Sequence, residues 1–232
     1  MAIPTTFGQA FQLNNTNQIT VLNTAGSVSL AATGQDNFVF LVGGTPFGIG
    51  NPVLANFVLN ATSTSNGNCV TSGCASGGYS EQGFSGSFSY IVAGGPFAGM
   101  LLLGGVFNTN ATPATSGGRF SQDIGGTGGS YGSSQTAGNT DAVVLSSDFL
   151  SFNGAVTEAA SWAFSGFTPS FSVNPTATQS SQPTTGQTFT ASQMGTFSSD
   201  TPTTHNPEPE TLALMGSALI GLGLIRRKRL TR

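Results

Sequence analysis

Basic residues are almost missing from this chain of 232 residues: Lys and Arg together number 6, and Arg226, Arg227, Lys228, Arg229 and Arg232 crowd into the last seven positions, leaving Arg119 alone before them. Nucleic-acid binding, which neutralises phosphates with Lys and Arg, has almost nothing to work with. Charged residues of both signs make up only 6%, against roughly 25% in an ordinary soluble domain, which argues against a cytosolic enzyme of average make-up. The seven acidic groups before the tail, Asp36, Glu81, Asp123, Asp141, Asp148, Glu158 and Asp200, face that one arginine and leave the body at a formal −6. Its solubility must rest on Ser, Thr, Asn, Gln and Gly.

Histidine is nearly absent too. The single one, His205, stands in a Thr- and Pro-rich stretch, so no Ser-His-Asp or Cys-His arrangement is available inside a fold. The carboxylates between Asp36 and Glu158 are widely spaced and read as solvated or capping groups rather than a catalytic pair. Gly126-Thr-Gly128-Gly-Ser-Tyr131 lacks the third glycine of a dinucleotide loop and any helix after it. Asn139-Thr-Asp141 offers oxygen ligands for Ca²⁺ without EF-hand spacing. No cofactor and no metal site are expected.

Cysteine is limited to Cys69 and Cys74, inside a stretch of turn composition. Three readings stay open: a local disulfide, free thiols, or metal or redox chemistry, the last lacking further ligands. A disulfide would place the chain in an oxidising compartment, and so small a ring would stabilise only modestly.

What the chain does have is glycine, 33 of them with 11 Pro, and enough Leu, Ile, Val and Phe, about a quarter of the residues, to bury a core. The apolar residues alternate instead of recurring at helical spacing. Phe84, Phe88 and Tyr90 share one parity, as do Trp162 and Phe164, which places those rings on one face of a strand. Further strands are expected near 18–22, 27–32, 37–42, 53–60, 100–107, 142–152 and 186–198, separated by Gly, Asn and Pro clusters. The pattern predicts an all-β body over residues 1–197, an antiparallel β-sandwich or jelly roll. The segment Phe38 to Phe47 aligns without gaps on Phe88 to Phe97, each a strand running into a Gly-x-Pro-Phe turn. One such pair is too few for a solenoid. It is read either as two strands ending in similar turns or as a duplicated hairpin. Residues 198–206 read as an extended Thr/Ser/Pro-rich linker.

At Pro207 the composition changes abruptly. Pro207 and Pro209 fix their own φ and push their predecessors out of the α region, so a helix can begin only after them. Glu208 and Glu210 then lie at its positive end and the basic cluster at its negative end. The uncharged run from Leu212 to Ile225 spans roughly 21 Å as a helix, short of the hydrocarbon core of about 30 Å. Thr211 and snorkelling arginines close that gap, predicting a transmembrane helix over 211–225 with Arg226, Arg227, Lys228 and Arg229 as a cytoplasmic membrane stop.

Pro207, Glu208 and Pro209, followed by a Leu/Gly/Ala-rich span and Arg226 to Arg229, resemble the PEP-CTERM sorting signal of bacterial surface proteins. The resemblance is limited to residues 206–232. It implies recognition by an exosortase, an integral-membrane protease that removes the tail and releases the body toward the cell surface, often in bacteria that make exopolysaccharide. The chain is then anchored in the inner membrane during export and ends at the surface or outside the cell. Met1 to Leu13 has no basic n-region and no apolar stretch, so an export signal is expected upstream. The function expected is that of a non-enzymatic cell-surface or extracellular-matrix protein, with exopolysaccharide as a candidate partner. The alternative is a carbohydrate-binding module or weak glycan-active enzyme on the same β body, with Tyr79 and Tyr131, placed in Gly/Ser loops, stacking on sugar rings. An intracellular tail-anchored protein is the third class, disfavoured because it would put the basic cluster on the wrong side.

Overall fold

The computed structural model describes residues 5–12, 17–24, 27–41, 49–63, 67–69, 79–107, 118–123, 128–135, 143–153, 158–168, 173–177, 180–183, 187–200 and 203–204. Among them there are strands and no helix: β1 (Thr5–Gln12), β2 (Asn17–Thr24), β3 (Ser27–Phe40), β4 (Val53–Ser63), β5 (Gly67–Cys69), β6 (Tyr79–Val92), β7 (Leu101–Phe107), β8 (Gly118–Asp123), β9 (Gly128–Gln135), β10 (Val143–Ser146), β11 (Leu150–Ser151), β12 (Glu158–Thr168), β13 (Val173–Ala177), β14 (Ser180–Pro183), β15 (Gln187–Ser199) and β16 (Thr203–Thr204). Among the described residues no helix is long and apolar enough to cross a membrane. The expected helix 211–225 and the rest of the tail lie outside them.

Every pairing among the described strands is antiparallel, as the alternation predicts, and the main ladder closes on itself. β3 pairs with β4, and β4 with β6. β6 continues to β8, β8 to β9, β9 to β12 and β12 to β15. β15 returns to β3 through β1 and β2, which share one position in the wall, β1 beside the end of β3 and β2 beside its start. The register shows the closure directly. Ala93 N–H donates to Leu54 O; Leu54 is opposite Asn37, Asn37 opposite Phe11, Phe11 opposite Met194, Met194 opposite Ala163, Ala163 opposite Ser130, Ser130 opposite Ser121 and Ser121 opposite Glu81. One circuit therefore starts beside the end of β6 and comes back to β6 twelve residues earlier. The offset is even, so side chains that point inward on one side of the circuit still point inward on the other, and a stagger of this kind is what a closed, tilted barrel requires. The all-β antiparallel expectation is met. The facing halves of the wall pack their inner faces together as the layers of the expected sandwich would, while hydrogen bonding runs on around the edges.

The interior is aromatic. Phe38, Phe57, Phe88, Tyr90, Trp162 and Phe197, from five strands, are all nearly fully buried. Trp162 packs edge-on to Phe88 at 4.7 Å and to Phe197 at 5.6 Å, and Tyr90 stacks on Phe57 at 4.9 Å. A barrel of about eight strands has just enough interior for side chains to fill it. Large rings fit because several of them lie across the ladder from glycine: Phe88 is opposite Gly105, Trp162 opposite Gly195 and Phe197 opposite Gly8. A Cβ on Gly105 would come within 2.3 Å of the Phe88 ring. The abundant glycine is thus partly core composition.

Expected strands 27–32 and 37–42 are the two parts of one strand, β3, and the stretch 142–152 divides into β10 and β11 at Ser147-Asp148. The stretch expected to be a linker starts inside β15, and Thr203–Thr204 pairs with Leu150–Ser151. Cys69 ends β5 and Cys74 lies outside the described residues, so the expected pairing of the two falls outside them as well.

Candidate functional site

One end of the barrel gathers several polar contacts that fix its turns. At this end β3, β6, β10 and β15 finish and β4, β7 and β12 begin. Asn51 binds both backbone groups of Phe40, its Nδ2 donating to the carbonyl at 3.0 Å and its Oδ1 accepting from the amide at 3.2 Å. Leu41 N–H donates to Phe7 O at 2.8 Å. The β6–β7 turn puts Gly95 and Gly99 at positive φ, 79° and 86°, which glycine adopts without the Cβ penalty. Ser147 Oγ donates to Leu102 O at 2.6 Å and accepts from the amides of Phe149 and Leu150 at 3.0 and 3.1 Å. Asp148 Oδ2 accepts from Leu101 N–H at 2.7 Å.

Between the start of β4 and the β6–β7 turn lies an open pocket of about 410 Å³, walled by Ile49, Pro52, Val53, Leu54, Val92, Pro96 and Phe97 with Gly50 and Gly94. None of these described side chains can give or take a proton, so what they offer a ligand is apolar contact.

The titratable centre is Glu158, the first residue of β12, 6% exposed. It continues the parity of Ala160, Trp162 and Phe164 and therefore turns inward. Its Oε2 accepts from Leu145 N–H at 2.8 Å. It stands directly opposite Ser199, whose Oγ is buried with no hydrogen-bond partner among the described residues. Burial pushes the Glu158 carboxyl above its ordinary value, the Leu145 amide pulls it back, and the charge of Asp200 raises it further. Asp36, also fully buried, lies on β3. Among the described residues no group of three or more His, Cys, Asp or Glu side chains comes together as a metal site.

The capping role expected of the carboxylates is seen at Glu158 and Asp148, each holding a backbone amide. Tyr79 opens β6 and Tyr131 is opposite Trp162 on β9, so both belong to strands and not to the loops expected. Gly128 to Tyr131 begins β9, which accounts for the missing helix after that glycine run. Asn139 to Asp141 lies outside the described residues, as do Pro207, Glu208, Pro209, Arg226, Arg227, Lys228 and Arg229. The burial of Glu158 was open to sequence reading: its parity with Trp162 and Phe164 marks it as inward-facing.

No match was found among curated proteins or solved structures. The family comparison falls on the tail: residues 207–229 match the PEP-CTERM protein-sorting motif. The C-terminal segment therefore carries that motif, with Pro207, Glu208 and Pro209 at its start and Arg229 at its end, and the motif implies export and recognition by an exosortase.

Proposed function

We propose that this chain is an exported, non-enzymatic protein of the bacterial cell surface or extracellular matrix, whose tail holds it in the inner membrane until an exosortase removes it. The observation that carries the reading is the sorting motif over 207–229. The order of its parts has a physical logic. By sequence, the two prolines favour an extended stretch from Asn206 to Pro209, the apolar run after them is expected to satisfy its own backbone as a helix in lipid, and the basic cluster is expected to stop transfer. The space in which a barrel of this size would hold a small ligand is occupied by aromatic rings, and the described lining of the pocket at its end is apolar. Exopolysaccharide is the partner proposed for the released body.

The test replaces Pro207, Glu208 and Pro209 with alanine in the native host. The expected result is accumulation of uncleaved protein in the inner-membrane fraction, because the helix extends outward and the recognition element is lost. Unchanged processing of the triple variant overturns the sorting role.

A further inference from the structure

The β6–β7 turn, residues 93–100, reads Ala-Gly-Gly-Pro-Phe-Ala-Gly-Met and has no polar side chain. It is nevertheless a surface turn: Gly94, Gly95, Pro96, Ala98 and Gly99 are exposed, and Phe97 and Met100 are half-buried. Exposed turns are ordinarily polar, and a run of exposed apolar residues marks a function. The backbone of the turn is fixed. Gly99 N–H donates to Val92 O at 3.0 Å, Met100 N–H to Phe97 O at 3.1 Å and Ala98 N–H to Gly95 O at 3.2 Å. Beside it the apolar pocket opens, with Leu54 on its wall, and Leu41 stands exposed at the same end. Leu41 and residues 49–54 and 92–100 include no charged residue, and the one polar side chain among them, Asn51, is spent on the Phe40 backbone.

The point where the chain leaves the described fold indicates what this face meets. Phe97 packs edge-on to Phe149 at 5.9 Å, the next residue, Leu150, pairs with Thr204, and Thr204 is the last described residue before the sorting tail. From Thr204 to Thr211, where the sequence predicts the membrane helix to begin, a fully extended chain reaches about 25 Å. β3 alone, with 14 residues, is about 45 Å long and, tilted in the wall, stands about 35 Å tall. The tether is shorter than the barrel is tall, so a barrel standing on the membrane meets it with this end. The contact is apolar and not electrostatic, because the turn and the pocket wall offer no Lys or Arg to lipid headgroups.

We propose that the β6–β7 turn and the rim of the apolar pocket rest in the surface of the lipid bilayer while the tail is in place. The inference rests on the reading of the tail as a membrane anchor. Pro96, Phe97 and Leu54 enter the boundary between headgroups and acyl chains, where apolar groups leave water without needing a polar partner. So few residues give a weak contact by themselves, and the tail supplies the high local concentration that makes it effective. Turn and tail then hold the barrel at two points, which places the segment from Asn206 to Pro209 at the membrane surface, within reach of an integral-membrane protease. Removal of the tail takes away one of the two points and frees the barrel to leave.

The experiment reconstitutes the full chain in phosphatidylcholine vesicles with and without bromine on the acyl chains, which quenches tryptophan only at close range. Trp162 is the only native tryptophan and is buried in the barrel, so it serves as the unquenched background. Ala98→Trp adds a ring at the exposed tip of the turn, and Thr62→Trp adds one at the other end of β4, also exposed. Ala98→Trp is expected to lose about half of its added emission in brominated vesicles, since interfacial groups sit about 5–10 Å into the headgroup–acyl boundary. Thr62→Trp is expected to lose none. Adding Gly94→Asp, where a Cβ meets nothing within 4 Å, should lift the charged turn out of the acyl region and restore most of the Ala98→Trp emission. Flotation of the chain with the vesicles after an alkaline wash reads the anchor separately. A chain that does not float overturns the anchor reading, and this contact with it. A chain that floats with Ala98→Trp quenched no more than Thr62→Trp overturns the contact alone and leaves the turn to a protein partner.

Discussion

Trp162 Nε1–H donates to the hydroxyl of Tyr90 at 2.8 Å, joining β12 to β6 inside the barrel between residues 72 apart in sequence. The two strands are not neighbours in the wall. One hydrogen bond therefore links opposite parts of the sheet through the core, and it satisfies the indole N–H, which buried tryptophan must pair somewhere.

Tyr90→Phe leaves the indole N–H buried without that acceptor while preserving almost all of the ring packing. The expected loss is about 2 kcal/mol, measured by urea unfolding with the slope against denaturant unchanged. Trp162→Phe alone removes more, since it also opens a cavity, and the double variant should cost less than the two single losses added.

Glycines that face rings or backbone should be intolerant, as should Gly95 and Gly99 at positive φ, whereas Gly94, in open space without positive φ, should not. Gly105→Ala places a Cβ 2.3 Å from Phe88, a ring already held by Trp162 and Phe197, and is expected to cost about 3 kcal/mol. Gly86→Ala would meet the Asn60 carbonyl at 2.1 Å and the Ala61 backbone at 2.6 Å, so β4 and β6 would have to separate there. Gly94→Ala meets nothing within 4 Å and should stay within about 0.5 kcal/mol of the wild type. Chemical denaturation of the three variants side by side checks the order.

Ser147→Ala removes one donated and two accepted hydrogen bonds between β10 and β11. The expected cost is about 2 kcal/mol, and hydrogen exchange should quicken first at Phe149 and Leu150, the amides that lose their acceptor. Equal protection of those amides in the variant and the wild type would show that the hydroxyl does not hold the turn.

Much of this was legible from alternation. Phe84, Phe88, Tyr90, Trp162 and Phe164 are buried, as their parity requires, because a strand has only two faces. Among the strands that went unread, β8, β9, β13 and β14 carry few apolar side chains, and hydrophobic period two has little to register there; β1 went unread as well, because Phe7, Ala10 and Phe11 do not keep one parity. β8 and β9 are strands because neighbours in the closing wall supply their hydrogen bonds, while β13 and β14 pair with each other beside β5. Closure itself depends on registers between residues far apart, such as Asn37 with Phe11 and Phe11 with Met194, which no local pattern encodes. At the tail the reverse holds, since its signal is local and ordered along the chain, and it was readable at once.

The measurement that bears most directly on sorting is the C-terminal mass of protein recovered from the surface or medium of the native host. The sequence predicts an extended stretch at Pro207 and Pro209, the backbone that a protease would find open. Mature protein is expected to end at or near Pro207 to Glu210 and to lack Leu212 to Arg232. Peptides covering Arg226 to Arg232 on surface-located protein would contradict the sorting reading and leave the tail as a simple anchor.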